Sequence, residues 1–463
     1  MTWSVTSLSA PCFEVGLMDS RAQPRLPQEI FDTIIDNYPH DEEMLKTFAL
    51  VSRSFLHQSR RHFFHDIRFC HDDVYYGDAK CRVLQARFWE ILNANPDIAS
   101  YVRDVHIKDN PILSWILAIR DDGDKLRPSW IREEETFQEI LLVLAKSSIS
   151  SLTLDIDLSW TTFPIGLQHA LTQIFSAPSL MNLDLSNLSS LPVSSCMHFR
   201  RLKQLRISEI FLLEGDRCQR AEAAGAAAVS ISSLEVTRLN GRSAQLFCNI
   251  LGLGKTGTPP AFLKELRISF SDVDFTREVI WAARKSLRYL SLAIRKLSLN
   301  FNIMTCSPLG RSGKDTARIN FADLKSLNRL DLRVYSQFDT EDYLTGVLGV
   351  LETGGPNKKL CEIHIALHFD SYYSCVDHFS QSSWGRLSTT LDRFSSLMHL
   401  VVKLVIGRYV GQSYLREEQK AELGRSVRNG LRSGAGNYGS VNKVLRVKIS
   451  ELYPQQPVHV SII

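Results

Sequence analysis

One phrase recurs along the chain: apolar, two variable positions, apolar, one variable position, apolar. It occurs at Ile149-x-x-Leu152-x-Leu154, Leu180-x-x-Leu183-x-Leu185, Leu202-x-x-Leu205-x-Ile207, Ile231-x-x-Leu234-x-Val236 and Leu263-x-x-Leu266-x-Ile268. Further copies are Leu287-x-x-Leu290-x-Leu292, Leu327-x-x-Leu330-x-Leu332, Leu360-x-x-Ile363-x-Ile365 and Leu397-x-x-Leu400-x-Val402. Weaker versions sit at Val102-x-x-Val105-x-Ile107 and around Leu445-x-Val447-x-Ile449. The alternation that ends each phrase predicts a short strand with one buried face. Helical periodicity precedes many copies, at Thr136 to Ala145, Leu167 to Phe175, Ala244 to Leu251, Arg277 to Arg284, Glu341 to Leu351, Trp384 to Phe394 and Glu417 to Leu431.

Helix, loop and strand in repetition predict units that bury their leucines against one another. The expected fold class is α/β, an irregular leucine-rich-repeat solenoid over 71–463 with parallel strands on its concave side and helices on its convex side. Copies are spaced by about twenty to nearly fifty residues, so insertions such as 110–133 and 303–320 are expected between them. A doubly wound α/β domain also alternates strands and helices. The repeated leucine phrase and the lack of a Gly-rich phosphate loop favour the solenoid.

A different pattern precedes the repeats. Residues 1–24 show no periodicity and are expected to form a flexible tail. Over 25–70, three short helices are expected. Pro27 suits a first helical position, Glu29 places negative charge in the first turn, and Ile30, Phe31, Ile34, Ile35 and Tyr38 form a broad apolar stripe. Pro39 closes this helix and Asp41 is a candidate N-cap for the next, which carries Leu45 and Phe48; a third follows with Phe55, Leu56 and Phe63. Three helices of this size cannot bury all these groups, so a partner or the next domain must cover some of them.

Leu26-Pro27-x-Glu29-Ile30, Ile34, Leu45, Val51-Ser52-x-x-Phe55 and Phe63-Phe64 resemble the F-box. The Lys-Arg-Trp common near the third helix of that family is replaced here by Arg53-Ser54-Phe55. Phe88-Trp89-x-Ile91-Leu92-x-x-Asn95-Pro96-x-Ile98, leading into Val102-Arg103-x-Val105-x-Ile107, resembles the entry into the repeats of F-box proteins abundant in mushroom-forming fungi. The resemblance implies docking on a Skp-type adaptor and, through it, a cullin. It carries the adaptor contact to Leu26, Pro27, Ile30, Ile34, Leu45, Phe48, Val51 and Phe55.

Composition adds limits. The 463 residues exceed one ordinary core, and a net charge of +4 predicts no polyanion-binding surface, so nucleic acid is not an expected partner. No apolar run approaches the roughly 20 residues of a bilayer span, and no secretory signal is evident. Nine scattered cysteines suit free thiols, hence cytosol or nucleus.

Catalytic constellations fail on spacing. Gly252-Leu253-Gly254-Lys255-Thr256 lacks the earlier glycine of a phosphate loop, that position being Asn249, and Pro259-Pro260 follows where a helix should start. At Gly313-Lys314, Asp315 stands where Ser or Thr is needed. His62, His65, Cys70 and His71 lack the spacing of paired zinc ligands, and His364 and His368 are expected to be solvated histidines on one strand face. Gly434 to Gly439, near Arg425, Arg428, Arg432 and Lys443, reads as a loop after a basic helix. No metal, cofactor or catalytic residue is expected.

The variable position inside each phrase should point away from the core. Read along the chain it gives Asp184, Arg206, Glu235, Arg267, Asp331 and His364, with Tyr289 alongside, as candidate contacts to a protein target. The expected function is a non-catalytic substrate-recognition subunit of a Skp–cullin–F-box type ubiquitin ligase. A scaffold that does not direct ubiquitylation shares the same features, and an α/β enzyme would need a convergent acid, base and nucleophile.

Overall fold

The computed structural model describes residues 27–39, 41–70, 77–109, 130–133, 135–214, 230–239, 241–253, 262–269, 273–295, 321–335, 344–353, 356–369, 371–381, 383–407, 414–433 and 444–452. Leu26, the 1–24 tail, His71, most of the 110–133 segment, the 303–320 segment and the Gly434 loop lie outside them.

The chain is a mixed α/β structure built on a twelve-stranded sheet. Its strands are β1 (Asp66–Cys70), β2 (Asp104–Asp109), β3 (Ser151–Ile156), β4 (Asn182–Ser186), β5 (Gln204–Ser208), β6 (Ser233–Thr237), β7 (Glu265–Ser269), β8 (Tyr289–Arg295), β9 (Arg329–Tyr335), β10 (Glu362–Phe369), β11 (His399–Gly407) and β12 (Val444–Leu452). All pair in parallel and in chain order. From Val102 to Val402, the last two apolar positions of each repeated phrase lie on one strand and the first lies two residues ahead of it. The sheet begins at Asp66, within the 25–70 segment assigned above to the helical module, because Ile67 and Phe69 alternate into the core. A separate two-residue pairing joins Leu191–Pro192 to Leu212–Leu213.

Register aligns the apolar positions into two continuous rows. Val105, Leu152, Leu183, Leu205, Leu234, Leu266, Leu290, Leu330, Ile363 and Leu400 form one row. Ile107, Leu154, Leu185, Ile207, Val236, Ile268, Leu292, Leu332, Ile365 and Val402 form the other, and both rows are buried. The hydrogen bonding repeats as faithfully. Two successive amides at the start of a strand converge on the carbonyl just ahead of the preceding strand: Met181 and Asn182 donate to Ser150, Lys203 and Gln204 to Met181, and Cys361 and Glu362 to Asn328. Asn187, Glu209 and Arg238, each just past a strand, adopt positive φ. Their amides donate to the last residue of the following strand, at Ser208, Thr237 and Ser269.

Helices fill the intervals: α1 (Gln28–Asp36), α2 (Glu42–Val51), α3 (Arg53–Phe63), α4 (Gly77–Ala94), α5 (Glu135–Ala145), α6 (Ile165–Ser176), α7 (Gly241–Ile250), α8 (Val273–Ala283), α9 (Leu344–Thr353), α10 (Tyr372–Gln381), α11 (Trp384–Asp392) and α12 (Glu417–Ser433). Helices of successive units pack side by side, α5 on α6, α7 on α8, and α11 on α9 and α12. Their buried residues, such as Phe137, Ile140 and Leu144 on α5, join the strand leucines in one core.

The contact between α11 and α12 is close enough to require glycine. A Cβ added at Gly430 would lie 2.8 Å from the Cβ of buried Trp384, whereas one added at Gly424 of the same helix meets nothing within 4 Å. Alanine is the better helix former by about 1 kcal/mol. Gly424→Ala should therefore stabilise the fold by roughly 0.5–1 kcal/mol, while Gly430→Ala should destabilise it by about 1–3 kcal/mol through overpacking. Urea unfolding of the two variants checks the opposite signs.

Candidate functional site

The three N-terminal helices close around a small interior. Asp41 caps α2 by accepting from the Met44 amide, and Ser52 caps α3 by accepting from the Ser54 amide. Ile35 and Leu45 are buried, and Phe55 meets Phe31 edge-on at 5.0 Å and stacks on Phe48 at 5.3 Å. The carboxylate of Asp36 accepts from Gln58 at 2.6 Å and contacts His62 Nε2 at 2.6 Å, tying α1 to α3. The bond from Gln58, followed by that from His62, holds the Asp36 pKa below its ordinary value. One side of α3 serves the sheet domain: His57 meets Tyr101 edge-on at 5.3 Å, and Phe64, just past the helix, lies 6.4 Å from Phe88 of α4.

Several apolar residues of the module remain exposed. Ile30 is 46% exposed, Leu50 78% and Val51 68%, with Ile34 and Tyr38 also exposed. Among the eight residues carried over from the F-box resemblance, Pro27, Ile30, Ile34 and Val51 are exposed, Phe48 and Phe55 are half-buried in the ring cluster, and Leu26 lies outside the described residues. Leu45 is buried against its own helices, so it shapes the module from within. Leu50 and Tyr38 were not among the eight, although the four-residue step from Ile34 could have suggested Tyr38.

On the sheet, the variable positions form a row through Thr153, Asp184, Arg206, Glu235, Arg267, Ser291, Asp331, His364 and Val401. All seven residues proposed from the sequence lie on this face, but they interact with one another. Arg206 stands 3.7 Å from Asp184 and 3.5 Å from Glu235. Arg267 and Arg329 both sit over the Tyr289 ring, at 5.2 and 5.3 Å. The Tyr289 hydroxyl donates to Asp331 at 2.7 Å, and Arg329 donates to both Asp331 oxygens at 2.9 and 3.2 Å. Arg329 also reaches His364 Nδ1 at 3.0 Å. A guanidinium only donates, so Nδ1 accepts and the ring proton sits on Nε2, facing Glu362.

Asp331 is only 7% exposed, and Ser291 and Val401 are also buried. Asp331 therefore positions Arg329 and Tyr289 instead of meeting a partner itself. Burial, then the bond to Asp331, pushes the Tyr289 pKa up, while the bond to Asp331 raises that of Arg329. His368 departs from the solvated histidine expected. It stacks on Tyr335 with centroids 4.0 Å apart, and burial, with Arg333 and Lys403 nearby, lowers its pKa to about 4.

Among the described residues, no three His, Cys, Asp or Glu side chains gather into a metal-holding group. Within those residues no helix is long and apolar enough to cross a membrane. Cys361 and Cys375 are free thiols.

No family model matches the chain, and no curated protein matches it. Among solved structures it is similar to an internalin from Listeria monocytogenes, at 15% identity over 67% of this chain and 76% of that one, with a TM-score of 0.26.

The His368 environment sets a pH dependence. An unfolded His368 gains its proton near pH 6.5, whereas the folded one stays neutral to about pH 4. Protons then favour the unfolded chain, so this residue's contribution falls as pH drops from about 6.5 to about 4, by at most roughly 3 kcal/mol. His368→Phe keeps an aromatic ring against Tyr335 and should flatten that part of the profile. Urea midpoints of both proteins measured across this range check it.

Proposed function

We propose that the chain is a non-catalytic substrate-recognition subunit of a Skp–cullin–F-box type ubiquitin ligase. The helical module docks on a Skp-type adaptor, and the sheet domain holds a protein target. The observation that carries this reading is the exposure of Ile30, Ile34, Tyr38, Leu50 and Val51 while α3 packs towards the sheet domain. Exposed apolar groups of this kind, carried on and just past α1 and at the end of α2, suit a surface that a partner covers. The resemblance of the segment to the F-box names the partner class.

The sheet domain is read as a leucine-rich-repeat solenoid with its strands on the concave side. Support comes from the aligned apolar rows, the chain-order parallel pairing and the helices that stack between units. The polar and aromatic residues on the sheet's variable face suit protein recognition. The free thiols suit a reducing compartment, cytosol or nucleus. The chemistry belongs to the recruited ubiquitin-conjugating enzyme, and this chain contributes placement.

Ile30→Asp and Val51→Asp change exposed residues, so the module should stay folded by circular dichroism. In a pull-down with a purified Skp-type adaptor, the wild type should be retained and each variant weakened roughly tenfold or more, as expected for an apolar anchor replaced by a charge. Undiminished binding by both variants would contradict the reading.

A further inference from the structure

The variable face of the sheet falls into two electrostatic regimes. On the early strands, basic groups have acidic neighbours. Arg68 pairs with Asp66, His106 faces Asp66 at 3.5 Å, Lys108 faces Asp155 at 3.7 Å, and Arg206 stands between Asp184 and Glu235. On the last four strands, beyond the Arg329, Asp331, Glu362 and His364 cluster, the pattern differs. Arg333 of β9, Lys403 of β11, and Arg446 and Lys448 of β12 are exposed. Among the described residues none of these four has an ion-pair partner. Asp331 and Glu362 are on the same face, but Asp331 is bonded by Arg329 and Tyr289, and Glu362 faces His364 and Arg329.

Register shows how the four are arranged. Arg333, Ala366, Lys403 and Lys448 lie side by side on successive strands, and Arg446 occupies the same face one step earlier on β12. The small side chain of Ala366 leaves a gap between Arg333 and Lys403. Tyr335 and His368, two residues further along their strands, stack with an interplanar angle of 17° and floor the next position. Strand spacing puts Arg333 and Lys403 about 10 Å apart at the backbone, and Lys403 and Lys448 about 5 Å apart. Side chains on one edge of an extended peptide recur about every 7 Å. Long, flexible arginine and lysine side chains span that difference. Four like charges held together with no ion-pair partner among the described residues raise the local potential, and an anionic segment laid across them relieves it.

We propose that this corner of the sheet binds an extended acidic segment of a protein partner, with carboxylates over Ala366 between Arg333 and Lys403 and beside Lys448. The inference rests on reading the sheet as the target-binding face and adds the chemistry of the target. Nucleic acid fits less well. The patch holds four cations and one aromatic stack, short of the long basic track and successive stacking platforms that a strand of phosphates uses.

The test is fluorescence anisotropy on the full chain with a labelled peptide of alternating Glu and Ser, its Gln-Ser counterpart and a single-stranded RNA of similar length. The Glu-Ser peptide should bind, more weakly as salt rises. The Arg333→Glu/Lys403→Glu double variant should lose roughly tenfold or more in affinity. Arg242→Gln, which removes an exposed cation of helix α7 already paired with Glu214, should leave binding unchanged. Lack of Glu-Ser binding, equal binding of Gln-Ser, an unaffected double variant or tighter binding of RNA would each overturn the proposal. Adaptor binding by the same proteins separates the two readings. Failure of the peptide with adaptor binding intact sinks only the acidic target, and failure of the adaptor alone sinks only the ligase assignment.

Discussion

The fold depends on a register that cannot slip. A lone parallel strand satisfies neither its backbone nor its apolar face, and both must come from the next unit. Here the same two apolar rows run through the sheet, and pairs of amides at the start of a strand converge on the carbonyl just ahead of the preceding strand. A shift by one residue would turn Leu152 and Leu154 outward and Thr153 inward, and the same would follow at every neighbour. Because the core fixes the alternation, it also fixes which side chains share the open face. The Arg329, Asp331 and Tyr289 cluster and the Arg333 to Lys448 row are therefore products of core packing.

The same economy governs the N-terminal helices. They enclose Ile35, Leu45 and a cluster of phenylalanines, and they use one side of α3 against Tyr101 and the sheet domain. What remains exposed is the outer surface of α1 and the end of α2. The two candidate surfaces thus have different chemistry. The module offers apolar groups, whereas the sheet offers charge, much of it paired, with the unpaired cations gathered between β9 and β12.

Much of this was legible in the sequence, for physical reasons that differ by feature. The leucine phrase located strands because alternation has a short period and strong apolar residues mark it, and helices such as Glu417–Ser433 followed from their periodicity. The strand Asp66–Cys70 was obscured because only Ile67 and Phe69 mark its buried face, between charged residues and close behind a helix. Asn187 is a residue type that tolerates positive φ, but nothing about Glu209 or Arg238 announces it; neighbouring strands impose it there. The seven face residues were found because their position in the phrase sets their direction. Their partners were not, since Asp331 is buried by contacts with Tyr289 and Arg329, one of which lies on another strand. His368 looked like a surface histidine because spacing gives direction without depth.

The central claim is that the module's exposed apolar residues, and not the sheet, receive the adaptor. Hydrogen–deuterium exchange of the full chain with and without a purified Skp-type adaptor tests this most directly. The account predicts slowed exchange across α1 and α2, with the strands from β3 to β12 unchanged. Unaltered exchange in α1 and α2, or new protection confined to the sheet, would contradict it.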